Sequence, residues 1–125
     1  MKNCIIYCQS NPLTDEQIAC GMIYILDDGS SICKWSKEKV SLFMKTVGDD
    51  KKNKSGIPSL VKMNLKHMER YSLSGEKEME ARIDHHRIHG NSGLISVSDW
   101  YPFVIHKEDP QKDFDFWFNL KIENK

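Results

Sequence analysis

Residues 19–26, ACGMIYIL, form the longest apolar run of the chain, and this run constrains the fold more than any other segment. Eight residues are too few to cross a bilayer as a helix. As a strand, the run is apolar on both faces, so it needs cover on both sides and belongs inside a sheet. Gly21 sits within it. A glycine inside such a strand marks a bulge or a close backbone approach, with packing a better account than ligand binding.

The flanking segments supply partners for this strand. Residues 2–9 alternate, with Cys4, Ile6 and Cys8 on one side and Ile5 and Tyr7 on the other. Asp27-Asp28-Gly29-Ser30 is a hairpin signal, and residues 31–35 return as a third strand. Ser36 reads as an N-cap for a helix whose apolar face is Val40, Phe43, Met44 and Val47, closed by Gly48. A second helix is expected over about 59–72, with Leu60, Val61, Leu65 and Met68 inward, and a third over about 76–89. Acidic residues at the start of the third helix and histidines at its end suit the helix dipole. Residues 94–97 form a short strand, and 100–105 an aromatic loop running into another strand-like stretch. Asp109-Pro110 opens a last helix, with Phe114, Trp117, Phe118 and Lys121 on one face. The expectation is one α+β domain over residues 1–125. A mostly antiparallel sheet of four or five strands packs with three or four helices.

Charge narrows the class of partner. Eighteen basic residues balance eighteen acidic ones. A neutral chain lacks the long-range field that draws proteins to nucleic acid or to anionic membranes. Lys62, Lys66 and Arg70 recur every four residues, so a nucleic-acid contact through one helix face stays open but is not favoured over a solvated face. The N-terminal segment has no signal-peptide pattern and no run is long enough to span a bilayer, so a cytoplasmic, non-membrane protein is expected. Cys4, Cys8, Cys20 and Cys33 lie in apolar strand-like segments, which favours buried free thiols over a disulfide framework.

Two groups carry candidate chemistry. In DHHRIHG, residues 84–90, His85 and His89 are four apart and share a helix face at metal-ligand spacing, with Asp84 as a candidate carboxylate. The zinc-protease helix has a glutamate where His86 stands, so no base for a bound water is in place. A third ligand would come from His67 or His106. The bland alternative is a solvated helix end, which outweighs the metal site. The second group is aromatic: Trp100, Tyr101, Phe103, Phe114, Phe116, Trp117 and Phe118 fall within nineteen residues. One helix face cannot bury so many, and Phe116 lies off the face of its neighbours. Either the last helix is covered on two sides, or Trp100, Tyr101, Phe103, Phe116 and Trp117 meet a partner.

Residues 5–25, IIYCQSNPLTDEQIACGMIYI, resemble the opening of an uncharacterised bacterial family of small proteins encoded near HipA-like kinases. Residues 87–105, RIHGNSGLISVSDWYPFVI, are similar to a later motif of such proteins. The basic residue usual near the first turn is missing. The resemblance covers about a third of the chain and implies no activity, only a bacterial accessory protein working with a partner. The expected function is therefore non-enzymatic partner binding by an accessory, antitoxin, immunity-type or inhibitor protein of a bacterial or phage system, with no cofactor. The alternative is a small metal-dependent hydrolase or nuclease using Asp84, His85 and His89.

Overall fold

The computed structural model describes residues 1–9, 17–46, 57–73, 78–91 and 93–123. Four strands, β1 (Lys2–Gln9), β2 (Gln17–Ile25), β3 (Ser31–Trp35) and β4 (Ile95–Val97), form one antiparallel sheet in the order β3-β2-β1-β4. The fold is thus α+β. The fully apolar run lies in β2, hydrogen-bonded on both sides. Between β2 and β3, Gly29 takes a positive φ of 88°, the left-handed position that closes a short hairpin loop.

The register of β1 on β2 shifts between Ile6 and Tyr7. Ile6 pairs Gly21 and Tyr7 pairs Ala19, so Cys20 is the extra residue of a β-bulge. The bulge turns Ile18 and Cys20 onto the same face as Ile23 and Ile25. Gly21 lies at a close approach of β2 to β3: a Cβ there would sit 2.9 Å from the Lys34 carbonyl oxygen and 3.1 Å from Trp35 Cβ. Both features expected of a strand glycine occur together.

Three helices, α1 (Lys37–Thr46), α2 (Ile57–Leu73) and α3 (Met79–His89), cover one face of the sheet. Ser36 Oγ accepts from the Lys39 amide at 3.3 Å, as its capping role requires. Val40 and Phe43 from α1, Val61 and Leu65 from α2, and Met79 and Ile83 from α3 bury themselves on Cys4, Ile6, Cys8, Cys20, Ile23 and Ile25. Val47, Gly48 and the side chain of Leu60 lie outside the described residues.

The other face is covered by α4 (Pro110–Phe118) and the π-helical turn Asn119–Glu123. Phe114, Phe118 and Ile122 pack on Ile5, Met22 and Tyr24. Asp109 caps α4 by accepting from the Lys112 amide, and Pro110 occupies its first turn. Residues 100–105 are a loop, as expected, but no strand follows it among the described residues. Only Tyr101 pairs, through an isolated bridge to Asn3, and Pro102 then carries the chain away from the sheet because it has no N–H to donate. Among the described residues, no helix is long and apolar enough to cross a membrane.

Candidate functional site

The aromatic residues of the C-terminal segment divide by direction. Phe114 and Phe118 stack at 5.7 Å, and Phe114 meets Tyr24 edge-on at 6.3 Å. These rings are core. Phe116 points the other way and is 39% exposed. It meets His106 edge-on at 5.9 Å and Trp117 at 5.2 Å. Phe103 is 68% exposed, and Ile105 and Leu120 are each 53% exposed. Leu120 follows Phe116 by four positions on the continuing helix. The outer side of α4 and the loop beside it thus present four large apolar side chains to solvent.

A buried carboxylate holds that loop in place. Asp113 has no exposed surface. Its Oδ1 accepts from the Ile105 and His106 amides, both at 2.9 Å, and its Oδ2 accepts from the Tyr24 hydroxyl at 2.8 Å. Burial alone would raise its pKa. The hydrogen bonds from His106, Tyr24 and Ile105 outweigh it and hold the carboxyl below its ordinary value. Burial, followed by the hydrogen bond to Asp113, raises the Tyr24 phenol well above its usual range. Asp113 was not among the candidate residues. The sequence signal is an acid falling on the apolar face of an amphipathic helix, one turn before Trp117.

Trp100 and Tyr101 have structural partners. The Trp100 indole N–H donates to Asp84 Oδ1 at 2.7 Å, and its ring lies 5.2 Å from both Lys2 Nζ and the Arg87 guanidinium. Tyr101 exchanges backbone hydrogen bonds with Asn3 at 3.0 and 2.7 Å. Lys121 Nζ sits 3.8 Å from the centre of the Tyr101 ring and 4.9 Å from that of Trp117, and desolvation lowers its pKa. Of the five aromatic residues singled out, Phe103 and Phe116 are exposed, while Trp100, Tyr101 and Trp117 are half-buried.

The 84–89 cluster also divides. Asp84 binds Arg87 Nη1 at 2.6 Å in addition to Trp100, and Arg87 donates twice to the Ser98 carbonyl. The His86 ring reaches the Ile95 carbonyl through Nε2 at 2.8 Å, which ties the end of α3 to β4. A Cβ at Gly90 would stand 2.7 Å from His86 Nδ1, so the glycine makes room for that ring. His85 and His89 point outward with ring centroids 4.6 Å apart. They line a cleft of about 710 Å³ between α2 and α3, together with His67, Met68, Tyr71 and Arg82. Asp84 is not brought to this pair. Among the described residues, no group of three His, Cys, Asp or Glu side chains is placed to hold a metal ion.

The cysteines are free, with Cys4, Cys8 and Cys20 buried and Cys33 half-buried. Burial pushes the Cys4 thiol up to about 12. The contact with Cys8, 2.9 Å between the sulfurs, and then burial raise Cys20 further. A thiol shifted this way is a poor nucleophile, because the thiolate is the reactive form. Lys62, Lys66 and Arg70 share an exposed stretch of α2 with His67. The chain matches no family model, no curated protein and no solved structure.

Proposed function

We propose that this chain is a non-enzymatic partner-binding protein that docks a protein through the outer side of α4, as an accessory, inhibitor or immunity-type component does. One observation carries the proposal: Phe103, Ile105, Phe116 and Leu120 stand exposed around a helix whose opposite side is fully engaged in the core. Exposed aromatic and aliphatic side chains gathered on one surface are the usual anchors of protein interfaces. The loop that carries Phe103 and Ile105 is fixed by Asp113, so the patch is presented with little conformational freedom left to lose on binding. The neutral charge balance accords with an apolar interface rather than with a polyanion.

The test is co-purification from the native cells with tagged wild-type chain and with a Phe103→Ser/Phe116→Ser variant. A stoichiometric protein should accompany the wild type and be lost from the variant, whose circular dichroism and melting stay unchanged. Equal capture by both chains would reject the docking surface. Self-association of the purified wild type, abolished in the variant, would reassign the surface to a second copy of this chain.

A further inference from the structure

We propose that His85 and His89 form a two-point chelate for a divalent transition-metal ion of the zinc class at the mouth of the α2–α3 cleft. The site is independent of the proposed docking surface, because α3 packs on the opposite face of the sheet from α4.

The inference rests on how the 84–89 cluster is shared out. Four of its side chains have metal-binding or metal-orienting chemistry, and the fold uses two of them for structure. Asp84 is held by Arg87 and Trp100. His86 is held by the Ile95 carbonyl and packed over Gly90. His85 and His89 are left over. Their rings meet each other at 4.6 Å, and neither makes a hydrogen bond to another described residue. A helix places side chains four apart on one face, one above the other. Two imidazoles in that relation converge on a single ion at no conformational cost to the backbone.

Both rings are exposed, so an ion enters from solvent and keeps water on its remaining positions. Nitrogen ligands without a carboxylate select zinc, copper or nickel over magnesium or calcium, which take oxygen. The buried Met79 and Ile83 on the inner side of α3 anchor the helix against the sheet, so ion binding requires no folding step.

The experiment is calorimetric titration of the whole chain with zinc chloride, with magnesium chloride as control. Wild type should take up one zinc ion per chain and ignore magnesium. His85→Ala and His89→Ala should each weaken uptake by at least about tenfold, the loss that follows removal of even an outer-shell partner. His67→Ala, across the cleft, should keep wild-type affinity. All three positions are exposed, and melting curves check that the variants fold. Unchanged affinity in His85→Ala or His89→Ala would overturn the site by placing the ion elsewhere, on the cysteines for example. No uptake by wild type at about 1 mM zinc, an affinity too weak to matter, would overturn it as well. A loss in His67→Ala equal to that in His85→Ala would overturn the two-point arrangement.

Discussion

The two faces of the sheet are buried by different means. Three helices share one face, and each contributes a pair of mostly aliphatic side chains to a core that also takes in Cys4, Cys8 and Cys20. One helix and its π-helical extension cover the other face, and they do it with aromatic rings. A large ring buries more area per residue than a Val or a Leu, so a single helix suffices where aliphatic residues need three. The consequence is on the outside. The three-helix layer spreads its exposed apolar residues, Leu42, Met63, Leu73 and Ile88, over three helices, whereas Phe103 and Ile105 lie on the loop before α4 and Phe116 and Leu120 on α4 and its extension.

This contrast is broken most directly inside α4. Phe114→Ala or Phe118→Ala should cost about 3–5 kcal/mol in urea unfolding, the range for truncating a buried aromatic ring. Val61→Ala on the three-helix face removes less volume and should cost less, about 2 kcal/mol, at the low end of the range for Leu and Ile truncations. Equal losses would mean that α4 is not the principal cover of its face.

Asp113→Asn comes next, at about 1.5–3 kcal/mol near neutral pH, because the Ile105 and His106 amides lose a charged acceptor and the Tyr24 hydroxyl loses its acceptor oxygen. Its carboxyl is held below the ordinary carboxylate pKa in the folded chain. The native state therefore binds fewer protons than the unfolded state as pH falls below about 4. Stability from this group is fully present above that pH and drains away as pH drops through the lower folded value. The variant should show a flatter acid limb in stability against pH, and an unchanged limb would remove Asp113 from the loop anchor.

Gly21→Ala should cost about 1–3 kcal/mol, the price of overpacking, since the new Cβ meets the Lys34 backbone rather than a flexible tip. At the small end, Phe103→Ser and Phe116→Ser should each stay within about 0.5 kcal/mol, as surface changes do. A loss above about 1 kcal/mol at Phe116 would make it a core residue and dissolve the inward–outward division.

Much of this architecture is legible from residue patterns. The central strand, the Asp27–Ser30 hairpin, the Ser36 and Asp109 caps and the close backbone approach at Gly21 all follow from residue patterns, and local geometry enforces the hairpin and the caps. A bulge near Gly21 is legible from the strand glycine, but its place at Cys20 is not, because a one-residue register shift depends on the partner strand. The fate of Trp100 is not legible either. Its indole looks like surplus aromatic surface until Asp84, sixteen residues earlier, is found accepting its N–H. The same long-range pairing splits the histidine cluster, since which of four neighbouring side chains turns inward is decided by β4 and the 98–100 loop. Helix periodicity places His85 and His89 together, but only the tertiary fold withdraws Asp84 and His86 from them.

The most direct test of the division across α4 is site-specific photo-cross-linking in native cells. A photoreactive phenylalanine analogue at position 116 should give one discrete adduct with a protein partner, while the same analogue at the exposed Gln111, on another side of the helix, gives none. Identical adducts from both positions, or none from position 116 while the chain still co-purifies with its partner, would contradict the assignment of this surface.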